Sequence, residues 1–200
     1  MTTPAMPDLP DPTFDFSIFP ELRTERLRLR ALRPDDADAF SALHRAPDVM
    51  RFLNHEPADT IEKARDVLEW FQNTYDNHQA VNWAVTLADQ DDLIGMCGVY
   101  GWDRSNRRVD LGYILHPDYW NRGFITEAAR AVVGWCFESL AVHRVQADCT
   151  EGNEGSARVL LKCGFRHEGT WRENTWEHGR FVNIQQFGLL RHEFLGTHGD

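Results

Sequence analysis

Seven consecutive residues, Trp120-Asn121-Arg122-Gly123-Phe124-Ile125-Thr126, carry the clearest chemistry in this chain. They follow an alternating run, Asp110-Leu-Gly-Tyr-Ile-Leu-His116, and a Pro117-Asp118 turn, and they open directly into an apolar-striped stretch that reads as a helix. The first N–H groups of a helix have no intrahelical acceptor and lie at the positive end of its dipole, so such a loop suits phosphate oxygens. Gly123 lets the backbone approach a ligand closely, and Arg122 adds positive charge. An ordinary strand-to-helix turn with a tolerated glycine is the plainer reading of the same residues. Thirty residues on, Asn153 and Ser156 are of types that cap the helix following them, which Gly164 then stops. Asp110 alternates with Gly112 and Ile114 on one strand face, where it can reach a cleft or simply pair with Arg107 or Arg108.

Other chemistries find little support. Cys97, Cys136, Cys149 and Cys163 form no C-x-x-C pair and no Cys/His set of zinc spacing, so they read as small buried hydrophobes in a reducing compartment. The nine histidines include no H-E-x-x-H arrangement, and no metal is expected. A net charge of −10 excludes the basic footprint that nucleic acid needs. It suits a cationic partner through electrostatic steering, or serves solubility alone. With 42% hydrophobic and 26% charged residues and no run of 18 apolar residues, the chain reads as an average globular protein with neither membrane span nor export signal, expected in the cytoplasm.

The elements that must position these residues follow from periodicity. Residues 1–20 hold five of the nine prolines and read as an extended arm, with Phe14, Phe16, Ile18 and Phe19 suited to docking its last part. Leu27, Leu29 and Ala31 alternate with arginines as in a half-buried strand. Pro34 opens a helix with Ala37, Phe40 and Leu43 inward. Asp59 or Thr60 caps a second, whose apolar stripe is Ile61, Ala64, Leu68, Phe71 and Tyr75. Strands are expected around 83–87, 93–102, 109–115, 143–149, 165–173 and 181–190, with helices from 124 to about 140 and over 154–163. Hairpin-linked strands followed by strands separated by helices predict an α/β fold with a mixed parallel and antiparallel sheet and flanking helices. Two hundred residues suit one domain, placed at 21–195, with a tail over 196–200.

From about Leu22 to Phe194 the chain resembles the GNAT superfamily of N-acetyltransferases. The likeness is closest to the branch of bacterial enzymes that acetylate the N-termini of ribosomal proteins. The segments that carry it are Leu22-Arg-Thr-Glu-Arg-Leu-Arg-Leu-Arg30, which looks like the first strand, Leu111 to Trp120, and the Asn153/Ser156/Gly164-Phe165 pattern. Trp120 stands where Gln or Arg is usual in the superfamily's pyrophosphate loop, and Ile125 where Gly or Ala is usual.

The resemblance implies acetyl-CoA as cosubstrate, its pyrophosphate cradled over residues 120–126 and its pantetheine arm pairing with a splayed strand through Ile114, Leu115 and His116. It implies that Asn153 binds the pantetheine and that Ser156 lies near the thioester sulfur, where it can protonate the departing thiolate. An amine acceptor arrives mostly as ammonium and must lose a proton. Asp110 stands about where the superfamily carries a catalytic glutamate; His116 and Glu173 are further candidates, and water suffices for an α-amine of pKa about 8. The implied reaction is direct attack of a primary amine, first of all a protein N-terminal amine. A small amine such as an antibiotic or polyamine is the enzymatic alternative, and a noncatalytic acyl-CoA-binding module the alternative from another class. A homodimer is left open.

Overall fold

The computed structural model describes residues 14–53 and 55–197. Eight strands form one sheet: β1 (Leu22–Arg23), β2 (Leu27–Ala31), β3 (Val81–Leu87), β4 (Gly95–Asp103), β5 (Arg108–Leu115), β6 (Arg144–Thr150), β7 (Arg166–Glu177) and β8 (Arg180–Leu190). Their order is β1-β2-β3-β4-β5-β6-β8-β7, and every neighbouring pair is antiparallel except β5 with β6. The helices are α1 (Ala37–Arg45), α2 (Pro47–Met50), α3 (Ile61–Asp76), α4 (Phe124–Glu138), α5 (Glu154–Lys162) and α6 (Arg191–Thr197). The mixed α/β sheet with flanking helices is the one expected from the sequence.

The two faces of the sheet are covered by different helices, so alternate side chains of the central strands enter different cores. On one face Val109, Leu111 and Leu115 of β5 join Trp83, Val85, Cys97 and Val99 under the inward residues of α4, among them Ala129, Val132, Cys136 and Phe137. On the other, Ala84, Met96 and Ile114 meet Phe40 and Leu43 of α1 and Ala64 and Leu68 of α3. Each fully buried Leu, Val or Phe side chain contributes about 1.5–3 kcal/mol, so both faces are strongly registered. The α3 start is capped by Thr60, whose side chain accepts from the Lys63 N–H.

The segment Leu22–Arg30 is not one strand. Thr24 N–H bonds Leu27 O at 3.0 Å, and the Leu27 N–H bonds the Thr24 hydroxyl at 3.0 Å. That turn folds β1 back on β2. Phe14, Phe16 and Phe19 pack on the first core, Phe14 against Trp135 at 4.9 Å and Phe19 against Tyr75 at 5.0 Å, while Ile18 faces solvent. The rest of the expected arm, residues 1–13, lies outside the described residues. At the other end α6 carries the chain in helix through Thr197, where a tail was expected from residue 196; residues 198–200 lie outside the description.

Candidate active site

The parallel pair β5–β6 is partnered only over Arg108–Asp110 and Arg144–Gln146. Beyond Asp110, β5 stays with β4 and β6 with β8, so among the described residues the two strands are unpaired with each other and a gap opens in the sheet. The His116 N–H bonds Ile94 O at 2.8 Å, which fixes the direction of every backbone group on β5. By alternation Ile114 and His116 turn their main-chain groups toward β4, and Leu111, Tyr113 and Leu115 turn theirs toward the gap. Of the three residues expected to pair with an extended ligand, only Leu115 therefore presents its backbone there. Its carbonyl already accepts from Trp120 Nε1 at 2.7 Å, which ties the loop to the strand end.

The loop runs through a 3-10 turn, Pro117–Tyr119, opened by His116, whose Nδ1 accepts from the Asp118 N–H at 3.4 Å. Asn121 (φ 59°) and Gly123 (φ 81°) are both left-handed, and Gly123 is the N-cap of α4 with no side chain to satisfy the N–H groups of Phe124, Ile125 and Thr126. Ile125 packs its side chain into the first core and Thr126 is buried, so both face the helix interior while their N–H groups point along its axis outward. Arg122 is exposed, its guanidinium 6.0 Å from the Tyr119 ring.

A residue that sequence reasoning missed completes the loop. Arg26, from the β1–β2 turn, donates to Arg122 O at 3.0 Å and lies 4.6 Å over the Phe124 ring. It also pairs with Glu127 at 2.6–2.7 Å. Glu127 sits in the first turn of α4, where an uncompensated carboxylate would repel a phosphate. Burial raises its pKa, but hydrogen bonds from Thr24 and Arg26 outweigh that and hold it below the ordinary value, so it is ionised and neutralised by Arg26.

Across the gap, Asn153 is the N-cap of α5 and its Oδ1 accepts from the Ser156 N–H at 3.1 Å, so the capping reading holds for it. Ser156 Oγ is 2.9 Å from the hydroxyl of Tyr113, a β5 residue that sequence reading did not single out as a site residue. Burial drives the Tyr113 pKa far upward, with Ser156 opposing it only in part; the phenol stays protonated at neutral pH. Leu160, which follows on α5, is fully buried.

On the opposite face, Asp110 Oδ1 accepts from Gln146 Nε2 at 2.8 Å. Gln146 is oriented by Arg144, whose Nε donates to Gln146 Oε1 at 3.2 Å while its guanidinium grips Glu168 at 2.5 and 2.7 Å. The Arg108 guanidinium goes to Asp103 at 3.4 Å and does not bridge Asp110. Burial raises the Asp110 pKa above the ordinary carboxylate value, against the Gln146 hydrogen bond and the charges of Arg108 and Arg144. Desolvation, then the negative charge of Asp110, likewise raises that of Asp148, although Asp148 itself is exposed. Tyr100 stands opposite Asp110 on β4, its phenol pushed up to about 12 by desolvation and these two carboxylates. His116 and Glu173 are not brought to Asp110: His116 is turned into the loop, and Glu173 is exposed in the bulge of the edge strand β7. Burial raises all four cysteine thiols, Cys149 and Cys163 to about 11, which leaves no reactive thiolate.

The sheet thus splits beside its one parallel strand pair, with the N-terminus of α4 and the Tyr113–Ser156 pair beside the split. The profile described as acetyltransferase (GNAT) domain matches residues 26–166. The uncharacterized N-acetyltransferase YoaA of Bacillus subtilis is 33% identical, covering 87% of this chain and 98% of its own. The spermidine N(1)-acetyltransferase of Escherichia coli is 23% identical over 86% of this chain and 90% of its own. Among solved structures, the ribosomal-protein-S5-alanine acetyltransferase of Vibrio fischeri superposes with a TM-score of 0.78 at 19% identity, covering 87% and 98% of the two chains. The chain belongs to the GNAT acetyltransferase family. It is an acetyl-CoA-dependent N-acetyltransferase.

The residues present fit acetyl-CoA. The free first-turn N–H groups behind Gly123 suit its pyrophosphate, and the strand gap at Leu115 admits its amide-bearing arm.

Proposed function

We propose that the enzyme acetylates the α-amine of a protein N-terminus, with the split between β5 and β6 as the reaction centre. The observation that carries this reading is the convergence there of two groups that hold protons in opposite senses, Asp110 on one face and the Tyr113–Ser156 pair on the other. Bound acetyl-CoA supplies a thioester carbonyl for attack by the amine. Residues Asn121 to Thr126 hold the pyrophosphate through backbone N–H groups, with Arg122 and Arg26 adding positive charge. Leu115 orients the pantetheine arm by its gap-facing N–H and polarises the carbonyl, and Asn153 keeps α5 in place through its cap. Asp110 Oδ takes a proton from the acceptor ammonium, and its raised pKa makes it a better base than an ordinary exposed aspartate. Tyr113, hydrogen-bonded to Ser156 Oγ, delivers a proton to the departing sulfur.

The acceptor assignment rests on likeness to the ribosomal-protein acetyltransferases. A small polyamine is the second reading, favoured by the carboxylates Asp110 and Asp148 on that face and by the spermidine-acetylating relative. Free thiol is followed while the protein and acetyl-CoA meet a panel of peptides with free or blocked N-termini, spermidine and an aminoglycoside. Thiol release with free-N-terminus peptides alone supports the first reading; release with spermidine and not with peptides overturns it for the second.

A further inference from the structure

The even-numbered side chains of β6 extend the face on which Asp110 stands. Gln146 meets Asp110, Asp148 follows two residues on, and Thr150 two beyond that. At roughly 3.3 Å per residue, Thr150 lies about 13 Å along the strand from Gln146. There its hydroxyl meets both oxygens of Glu177, at 3.1 and 3.3 Å. Glu177 belongs to the end of β7 and is only 6% exposed. One hydroxyl proton serves one oxygen at a time, so Thr150 donates to only one of the two. Among the described residues no cation forms an ion pair with Glu177.

Glu177 lines a cleft of about 560 Å³ between α2 and the β7–β8 hairpin. Met50, Phe52 and Val182 give its walls apolar surface, and Arg51 and Arg180 are exposed where they line it. Glu151, also at the cleft, is already engaged by Asn183 Nδ2 at 2.9 Å. Glu177 is thus a buried carboxyl group in no ion pair among the described residues, lining a cavity and joined to Thr150 on the strand face that carries the proposed base.

We infer that Glu177 receives a second positive charge of the acceptor, an ammonium or guanidinium held on the order of 13 Å from the acetylated nitrogen. This rests on the reading of Asp110 as the reacting end of the cleft. The second cation is either a lysine or arginine among the first residues of a protein N-terminus or a further amine of a polyamine. Both present the same chemistry to Glu177.

The test compares the wild type with Glu177→Gln and the charge-keeping Glu177→Asp, each checked for unchanged thermal unfolding. Acceptors are a short peptide with neutral side chains, the same peptide with lysine at its third position, butylamine and spermidine. KM is read from thiol release and Kd from calorimetry without acetyl-CoA. The wild type should prefer the lysine peptide over the neutral one, or spermidine over butylamine, by about 10-fold or more, and Glu177→Gln should bring that ratio close to one while Glu177→Asp keeps part of it. Which pair shows the preference identifies the source of the cation. An equal ratio in wild type and Glu177→Gln overturns the inference. Absence of thiol release with every acceptor would overturn the proposed acceptor classes instead, and the calorimetric ratio would still decide the role of Glu177.

Discussion

Replacing Arg26 by alanine should weaken acetyl-CoA binding by leaving Glu127 ionised beside the phosphate site. The guanidinium lies 2.6 Å from the Glu127 carboxylate, and Glu127 is the fourth residue of α4, in the same first turn as the N–H groups proposed to hold pyrophosphate. Taking about 7 Å between the carboxylate and a bound phosphate, a little over one helical pitch of roughly 5.4 Å, gives the scale of the effect. Two unit charges at that distance repel by about 2.4 kcal/mol at an effective dielectric of 20 and by about 0.6 kcal/mol in bulk water. Arg26 is 44% exposed, so solvent screening favours the lower part of that range, about 1 kcal/mol, or roughly five-fold in Kd. Calorimetric titration of acetyl-CoA into Arg26→Ala and into Arg26→Ala/Glu127→Gln separates repulsion from lost contact. Removing the charge of Glu127 should restore most of the affinity, and the defect of the single variant should shrink at about 1 M salt, where the screening length falls to ~3 Å. If the double variant binds as poorly as the single one, Arg26 acts by direct contact and neutralisation of Glu127 is irrelevant. If Arg26→Ala binds as tightly as the wild type, the phosphate does not sit at this helix end at all.

Gly123→Val forces a β-branched side chain into a backbone with φ 81° and into contact with Arg26 at about 3.4 Å, so it should cost acetyl-CoA binding about 1–3 kcal/mol; an unchanged Kd in a folded variant would mean that the loop is only a turn. Tyr113→Phe and Ser156→Ala should each lower turnover about 10–100-fold with little change in cofactor Kd, and the double variant should be no worse than the poorer single one because the pair acts as a unit. Losses that simply multiply would refute a shared proton. Asp110→Asn should lower turnover about 100-fold, with the loss shrinking as pH rises and the amine arrives neutral; a wild-type rate and pH profile would make Asp110 structural. The same substitution should raise the melting temperature at pH 7. Because the folded-state pKa of Asp110 is raised, its ionisation opposes folding: the stability it contributes is full below its unfolded pKa and is lost as pH rises through the folded one. The gain of the Asn variant should therefore vanish on acidification below about pH 4, and a gain that persists there would assign it to another cause.

What was legible in the sequence is what a single element fixes for itself. The stripe of α3, the cap at Thr60, the glycine stop of α5 and the glycine opening of α4 depend only on residues a few positions apart, and they stand where periodicity and capping chemistry put them. What was not legible depends on pairing across the sheet. Tyr113 alternates with Val109, Leu111 and Leu115, so in sequence it reads as one more core residue; only the loss of pairing beyond Asp110 leaves its hydroxyl facing Ser156, 43 positions away. Arg30 reads as the polar side of a half-buried strand, yet it is 2% exposed because Asp36 meets its guanidinium with two bonds at 2.7 and 2.9 Å. The same holds for the three main-chain positions expected at the gap, since nothing in Ile114-Leu115-His116 says which way each carbonyl points until Ile94 claims the His116 N–H. Arg26 reaches the loop before α4 only because β1 turns back at Thr24, a turn that Glu127 holds from α4 with bonds of 2.5 Å to the Thr24 hydroxyl and 3.0 Å to the Arg26 N–H. The chemistry proposed for cofactor binding is thus local and written in a short motif. The proposed proton chemistry and charge balance depend on register, which the two hydrophobic faces decide, and Tyr113 itself packs on the first of them.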